Sequence, residues 1–211
     1  MAATCTSCGV ELESRLACES CGALQAEIDG LSPFEALGLE PSAELDAGVV
    51  RKRVLRLSRL THPDFFTGAS ADQQELAERA SAKLNEASKQ LSDTMRRIDW
   101  LVAWLGGPSE ADERQMPQAF LMEVLEWNET LEEAKAAQPG SKERDALDAL
   151  ESQLTSERAS LETDLVSALS PLPERDSSGL TDLRRSLNAV RYIDRTLGEI
   201  RGLRLADASS R

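Results

Sequence analysis

The sequence predicts an all-α protein: a helical hairpin followed by a C-terminal three-helix bundle, with a short cysteine-rich module before both. Leu and Ala supply 58 of the 86 hydrophobic residues, whereas Val and Ile, which favour strands, supply only 12. Apolar side chains also recur at helical spacing between glycine and proline breaks. The eight aromatic residues can fill only lean cores, so two modest helical packings are expected rather than one large one. The predicted divisions are residues 1–26, 31–105, a linker at 106–116, and 117–205.

Composition narrows the classes of partner. With 24 basic and 37 acidic residues and a net charge of −13, the chain is unsuited to broad nucleic-acid binding, which needs positive charge to displace counterions. The longest apolar stretch, residues 100–105, is far shorter than the ~20 residues that cross a bilayer, so no membrane partner is expected. Residues 1–4 show neither a basic nor an apolar targeting segment. We therefore expect a cytoplasmic protein, or a mitochondrial-matrix protein if the source is eukaryotic.

All four cysteines lie in two CxxCG segments, Cys5-Thr-Ser-Cys8-Gly9 and Cys18-Glu-Ser-Cys21-Gly22. Each pair can turn both thiolates toward one point, and four thiolates suit the tetrahedral preference of zinc, with Zn–S bonds of about 2.3 Å. A segment this short cannot build an apolar core, so the metal would supply its folding energy. We expect a structural zinc site without chemistry at the metal. The alternatives are two disulfides, free thiols, iron or a redox CxxC.

The first helices follow from capping signals and apolar spacing. Ser32 and Pro33 begin a short helix that Gly38 ends. A longer helix is predicted at about residues 43–60, with Val50, Val54, Leu57 and Leu60 toward the core. Its other face carries five basic residues and no acid: Arg51, Lys52, Arg53, Arg56 and Arg59. Such a run is usually a solvated face, but its sign opposes that of the whole chain, which favours an acidic partner surface.

His62, Pro63 and Asp64 follow this helix, and Pro63 must end it because proline lacks an amide proton and pushes His62 out of helical dihedrals. After a loop to residue 72, a helix at 73–91 is predicted with an apolar stripe of Leu76, Ala80, Leu84, Ala87 and Leu91. His62 is the only histidine, which excludes a His-pair metal site. A Ser-His-Asp hydrolase is conceivable, but no G-x-S-x-G elbow is present and an exposed turn lacks the support that catalysis needs. We therefore expect no enzyme.

These residues resemble the J-domain family, whose mark is His-Pro-Asp between a basic helix and an antiparallel partner helix. Residues 34–39 and Asn85-Glu86-Ala87 also stand where that fold has them. The sequence departs from the family at Thr61, Phe65 and Ser88, where many J-domains carry an aromatic residue, a lysine and a tyrosine. The resemblance implies a co-chaperone of the heat-shock protein 70 class, in which the basic helix docks and His62, Pro63 and Asp64 stimulate the partner's ATP hydrolysis.

Most of the surplus charge lies in the C-terminal half, where residues 110–164 hold 15 acids and 5 bases. Helices are predicted at about 117–137, 141–169 and 180–203, separated by proline and glycine breaks. The second has an ordinary core stripe of Leu147, Leu150, Leu154, Leu161, Leu165 and Leu169. Three such helices indicate a small bundle.

The first of these helices has two apolar faces. One holds Phe120, Val124, Trp127, Leu131 and Ala134; the opposite one holds Leu121, Met122 and Leu125 beside Glu126, Glu129 and Glu133. An apolar centre with an acidic border is typical of an interaction site. In the last helix, Tyr192 points away from the stripe of Leu183, Leu187, Val190 and Leu197, so we expect it exposed on the same surface. The alternative is a wider bundle or a homodimer that buries both faces.

Residues 119–126, 190–194 and 62–66 are similar to the HscB branch of J-domain proteins, and the cysteine module is similar to that of mitochondrial-type members. The resemblance implies an adaptor that binds the iron–sulfur scaffold protein IscU, delivers it to an HscA-type chaperone and activates that chaperone's ATPase. It assigns the scaffold contact to Leu121, Met122, Leu125, Glu126, Glu129, Glu133 and Tyr192. A monomer or weak homodimer is expected. The rival hypothesis is a zinc-ribbon regulator that binds nucleic acid and has a helical dimerisation half.

Overall fold

The computed structural model describes residues 3–209 and is almost entirely helical, which confirms the predicted fold class. Its helices are α1 (Pro33–Leu37), α2 (Ala47–Thr61), a 3-10 turn (Pro63–Phe66), α3 (Ala71–Ser92), α4 (Thr94–Trp104), α5 (Gln118–Ala136), α6 (Lys142–Ala168) and α7 (Gly179–Ser209). The β structure of the described residues is limited to two isolated bridges, Thr4–Glu11 and Ala17–Leu24. None of these helices is both long and apolar enough to span a bilayer. The chain divides into two compact units, Met1–Leu101 and Val102–Arg211.

The first unit contains the cysteine module, α1, α2 and α3. A capping box between Ser32 and Glu35 begins α1. Helix α2 begins at Ala47, later than the predicted residue 43, because the Asp46 side chain accepts from the N–H of Val49 at 2.9 Å and fixes the cap there. Helices α1, α2 and α3 pack on one another around an apolar core. Its largest buried members include Phe34, Leu37, Leu57, Leu84, Leu91 and Ile98.

Helix α3 begins at Ala71 behind a Ser70 cap, two residues earlier than predicted. Four of the five stripe residues predicted for it are buried, whereas Leu76 is only half-buried and Ala77 takes its place in the core. The segment expected to be a loop after His62 instead forms a 3-10 turn, because the His62 side chain caps it by accepting from the N–H of Asp64.

The second unit is a bundle in which α6 packs against both α5 and α7. All five residues predicted for the inner face of α5 are buried. Phe120 and Trp127 meet edge to face with ring centroids 5.2 Å apart. The core is completed mainly from the other two helices by Leu147, Leu150, Leu154, Ile193, Leu197 and Ile200.

Helix α7 departs most from its prediction, because it runs on to Ser209 and buries more than one face. Leu187, Val190 and Leu197 are buried as predicted, but Leu183 is half-buried and Arg184 is fully buried. The Arg184 guanidinium donates from Nε to the carbonyl of Pro108 at 2.8 Å, so a polar partner accompanies this buried charge.

Candidate metal centre and interaction surfaces

The four cysteine sulfurs converge on one point. Their Sγ atoms all lie within 4.8 Å of one another, with Cys5–Cys21 and Cys8–Cys18 each at 3.7 Å. A tetrahedral ion with metal–sulfur bonds of about 2.3 Å places its sulfurs about 3.8 Å apart. A disulfide needs about 2.05 Å, and all four cysteines are unbridged. The site therefore has the geometry and the donor set of a four-thiolate metal centre.

The two CxxCG segments fold in the same way, so each delivers two sulfurs. The N–H of Cys5 or Cys18 donates at 2.8 Å to the carbonyl five residues later. The N–H of Gly9 or Gly22 then donates to that cysteine's own carbonyl, at 2.9 and 2.8 Å respectively. Gly9 and Gly22 have φ of +75° and +77°, a left-handed backbone that favours glycine. These glycines let the chain wrap around the point where the sulfurs meet.

The thiols differ in how readily they ionise. The backbone N–H groups of Cys8 and Ser7, directed at the Cys5 sulfur, lower the pKa of Cys5 to about 6. For Cys8, the N–H of Val10 acts in the lowering direction, but the crowded sulfur of Cys21, with burial and the other two sulfurs, raises its pKa to about 12. Four thiolates this close repel one another, so the fully ionised set requires a cation at its centre.

The cysteine module is joined to the basic helix through Arg53. The Arg53 Nη1 pairs with Glu13 at 2.7 Å and with Glu19 at 3.1 Å. Its Nε and Nη2 donate to the carbonyls of Leu37 and Gly38 at 2.9 and 3.2 Å. The Arg53 side chain is only 14% exposed and that of Glu19 only 9%. Arg53 thus joins the module, the end of α1 and α2, and is not the exposed docking cation that the charge pattern indicated.

Further contacts fix the same interface. Arg56 also pairs with Glu19, although its own side chain stays largely exposed. The Ser14 hydroxyl donates to the carbonyl of Ala36 at 2.7 Å in a buried hydrogen bond, and Arg15 pairs with Glu35 at 3.0 Å. Burial acts to raise the pKa of Glu35, but hydrogen bonds from Ser32 and the Arg15 guanidinium outweigh it and hold the pKa below its usual value. Ion pairs and hydrogen bonds therefore hold the cysteine module against the helical hairpin.

Three of the five basic residues on this face of α2 are exposed to solvent and lie outside the ion pairs of Arg53 and Arg56. Arg51, Lys52 and Arg59 are exposed and form no ion pair with any residue from 3 to 209. They flank Leu55, which is also exposed and lies one turn from Arg51 and from Arg59 on the same face. This basic face with an apolar centre suits an acidic protein surface.

The His-Pro-Asp turn is open to solvent. The side chains of His62 and Asp64 are 51% and 83% exposed. His62 Nδ1 accepts from the N–H of Asp64 at 3.2 Å, so the neutral ring carries its proton on Nε2. Phe65, one residue later, packs edge-on to the His62 ring at 6.0 Å and is itself exposed. The turn has a fixed shape and presents its carboxylate outward.

The second apolar face of α5 is exposed, as predicted. Leu121, Met122 and Leu125 are 45%, 69% and 65% exposed, and we call these three residues the α5 strip. Its acidic border of Glu126, Glu129 and Glu133 is exposed as well. Three large apolar side chains at helical spacing with acids beside them form a surface suited to a protein partner.

Tyr192 is not fully exposed, contrary to expectation. It is half-buried and meets Phe120 edge to face at 6.1 Å. Its hydroxyl donates to Asn128 Oδ1 at 2.7 Å. The stripe of Leu183, Leu187, Val190 and Leu197 is not the only part of α7 that packs inward, because Ala189 and Ile193 are buried as well. Tyr192 therefore lies at the edge of the core, joined to α5 through Asn128.

Several of these contacts carry no local sequence signal. Glu13, Ser14 and Glu19 meet residues of α1 and α2 that lie 22 to 40 positions away. The acidity of the module opposite the basic helix is the one hint of this pairing. Helical spacing could have placed Asn128 on the surface of the α5 strip, since it lies one turn beyond Leu125 and two turns beyond Leu121 on α5.

The chain is similar in sequence to HscB co-chaperones. The family model described as the HSCB C-terminal oligomerisation domain matches residues 116–201. A co-chaperone protein HscB homolog from Haemophilus influenzae is 34% identical over 140 residues, which are 65% of this chain and 78% of that protein. The iron-sulfur cluster co-chaperone protein HscB of Homo sapiens is 33% identical over 125 residues, 59% of this chain and 53% of that protein.

Among solved structures, the crystal structure of human co-chaperone protein HscB shares the fold. Its TM-score is 0.71 at 24% sequence identity, over 94% of this chain and 97% of that one. Together with the sequence match to the Haemophilus co-chaperone, a helical hairpin with an exposed His-Pro-Asp turn followed by a helical bundle places the chain in the class of J-domain co-chaperones. The 34% identity to the Haemophilus protein, over 78% of its length, identifies the family within this class. The chain belongs to the HscB family of co-chaperones.

Proposed function

We propose that this protein binds the iron–sulfur scaffold protein IscU, delivers it to an HscA-type chaperone of the heat-shock protein 70 class and stimulates that chaperone's ATPase. It would act by binding, without turnover of its own. The observation that carries the proposal is the exposure of two chemically different surfaces. One unit has a basic face ending in an open His-Pro-Asp turn, and the other has the α5 strip with its acidic border.

The chaperone contact is assigned to the first unit. Arg51, Lys52 and Arg59 offer free guanidinium and ammonium groups to an acidic surface, and Leu55 supplies an apolar contact among them. Arg56 has charge left to share because its side chain is largely exposed, whereas Arg53 acts inside the protein. The exposed Asp64 carboxylate would then reach the chaperone groups that control ATP hydrolysis.

The scaffold contact is assigned to the α5 strip with Glu126, Glu129 and Glu133, and to Tyr192 at its margin. Burial of two half-exposed leucines in an interface is worth ~2–3 kcal/mol, or about 30- to 150-fold in affinity. The acids would select a basic partner surface. Proximity is the mechanism, since one molecule presents the scaffold while it triggers the chaperone.

The metal in the cysteine module is proposed to be zinc with a structural role. The spacing of the sulfurs fits metal–sulfur bonds of about 2.3 Å. Four protein ligands leave no open coordination position, so the ion would organise the module and nothing more. Elemental analysis of the purified protein and X-ray absorption at the zinc edge test this assignment. An iron content of one per chain would refute it.

The chaperone role is tested with Asp64→Asn. We expect normal folding and scaffold binding but loss of ATPase stimulation in single-turnover assays with the purified chaperone. Asp72→Asn is the matched control, because Asp72 is an exposed acid at the start of α3 on the same hairpin. Full stimulation by Asp64→Asn would refute the role of the turn.

The scaffold role is tested by calorimetric titration of IscU into the full chain. Leu121→Ala with Leu125→Ala should weaken binding by at least tenfold without a loss of helicity. Leu205→Ala is the control, since Leu205 on α7 is an exposed leucine outside the strip. Equal affinity of the double variant and the parent would exclude the strip as the scaffold contact.

A further inference from the structure

A groove in the second unit lies between the segment that leads into α5 and the helix α7. Its volume is about 480 Å³, and its walls include Arg114, Met116, Arg191, Tyr192 and Arg195. None of these residues except Tyr192 belongs to the proposed scaffold contact. The groove therefore presents a chemistry that the α5 strip does not have.

The groove has a fixed wall. Asn188 on α7 donates from Nδ2 to the carbonyls of Glu113 and Gln115, both at 2.9 Å. Arg185, one turn earlier, pairs with Glu113 at 3.0 Å. These bonds hold the segment before α5 against α7. A ligand would thus meet a preformed cleft, without the entropic cost of ordering it.

The groove is basic in an acidic unit. Three arginines and one acid, Glu110, line it, whereas residues 102–211 as a whole hold 21 acids against 13 bases. Arg191 is paired with Glu110. Arg114 and Arg195 form no ion pair with any carboxylate of the described chain. The Arg195 guanidinium lies 5.1 Å from the centre of the Tyr192 ring, so cation–π contact orients it without neutralising it.

Two uncompensated guanidinium groups beside an aromatic ring and Met116 fit a carboxylate carried on a partly apolar segment. A guanidinium can hold a carboxylate with two parallel hydrogen bonds, and the ring and the thioether accept its methylene groups. A basic segment is disfavoured here by repulsion, and a purely apolar one would leave both charges without a counterion.

The groove is continuous with the α5 strip. The Tyr192 hydroxyl bonds to Asn128, which follows Leu121 and Leu125 at intervals of seven and three residues and so lies on their side of α5. One partner segment can therefore touch both surfaces. We propose that the groove binds an acidic side chain of the scaffold protein, which makes Arg114 and Arg195 the cationic end of the scaffold-binding surface.

This inference rests on the proposed scaffold contact and defines the partner's chemistry further. The docking face of the scaffold would be divided by charge, with basic groups against Glu126, Glu129 and Glu133, an apolar anchor on the strip, and an acid in the groove. Such a division would fix the orientation in which the scaffold docks, because the reversed orientation sets like charges together.

The test is calorimetric titration of purified IscU into the full chain at several salt concentrations. Arg114→Gln and Arg195→Gln should each weaken binding about three- to tenfold and flatten its salt dependence. Arg201→Gln is the matched control, because it removes the same charge from α7 outside the groove. Thermal melts of each variant establish that the bundle is intact.

The outcomes separate the two proposals. If Leu121→Ala with Leu125→Ala weakens binding but the groove variants behave like Arg201→Gln, the groove proposal is overturned and the strip stands. If neither set changes the affinity, the scaffold proposal fails and the groove proposal fails with it. Rescue of Arg195→Glu by an acid-to-lysine change in IscU, with no rescue of Arg201→Glu by the same change, would identify the acidic partner.

Discussion

Arg51 and Arg53 lie two residues apart on α2 and carry the same charge, yet their surroundings predict opposite consequences for substitution by alanine. Arg51 is exposed and unpaired within residues 3–209. Arg53 is bonded to two acids of the cysteine module and to two backbone carbonyls. The same change in helix propensity and net charge therefore affects docking at one position and stability at the other.

The loss of folding free energy expected for Arg53→Ala follows from the groups that lose Arg53 as a partner. Glu19, 9% exposed, keeps only Arg56 as a partner, and an incompletely compensated buried carboxylate costs about 2–3 kcal/mol. The exposed Glu13 pair adds at most about 1 kcal/mol, and two carbonyls that lose a donor add roughly 1 kcal/mol together. The sum, about 3–5 kcal/mol, corresponds to a fall in Tm of at least about 10 °C for a unit of this size. Arg51→Ala should cost less than about 0.5 kcal/mol.

The assay is differential scanning calorimetry of the full metal-loaded chain, with competition by a chromophoric chelator to measure metal affinity. Arg53→Ala should lower the first unit's transition and weaken metal retention, because the module folds on the surface that Arg53 holds. Arg51→Ala should melt like the parent but bind the chaperone more weakly. If both variants melt within about 2 °C of each other, the contacts of Arg53 with the module and with α1 do not stabilise the fold.

Three other substitutions test the cysteine module and the residues around α1 that contact it. Cys8→Ser should reduce metal affinity and lower the calorimetric transition of the first unit while that of the second unit stays in place, and one shared shift would contradict this. In a urea titration, Gly38→Ala should lower the free energy of unfolding by roughly 2–4 kcal/mol, since Gly38 has φ of +65° and an added Cβ would meet the Glu13 carbonyl and Arg53. Gly68→Ala is the control and should be neutral, because Gly68 lies in open space. The lowered pKa of Glu35 adds stability above its ordinary pKa and loses it as the pH falls, so Glu35→Gln should be less stable than the parent at pH 7. The difference should shrink as the pH falls below the ordinary Glu pKa of about 4.3 and vanish below the lowered pKa. A pH-independent difference would show that the Glu35 charge is not its source.

Helical phase predicted the parts of the site that a single helix determines. One α-helix determines which face carries Leu121 and Leu125 and which carries Phe120 and Trp127, so helical spacing was sufficient to place the two pairs on opposite sides. The cysteine site was likewise predictable, because each of two short loops brings one pair of sulfurs together.

Phase alone fails where a helix contacts more than one neighbour. A single stripe on α7 predicted an exposed Tyr192, but α7 also buries Arg184, Ala189 and Ile193, and this wider burial carries Tyr192 against Phe120. A helical wheel cannot show how many elements will cover a helix. Only the packed bundle determines which of the remaining residues form its margin.

Charge patterns fail for a related reason, since they describe a helix before its neighbours are known. Five basic residues on α2 looked like one docking surface, but Glu13 and Glu19 approach from 34 to 40 residues away and engage two of them. The remaining cations surround Leu55, so the proposed docking surface is smaller and less polar than its sequence indicated. Because the metal-binding module supplies those acids, its folding and the charge available for docking are linked through Arg53 and Arg56. Docking strength should therefore respond to loss of the proposed metal.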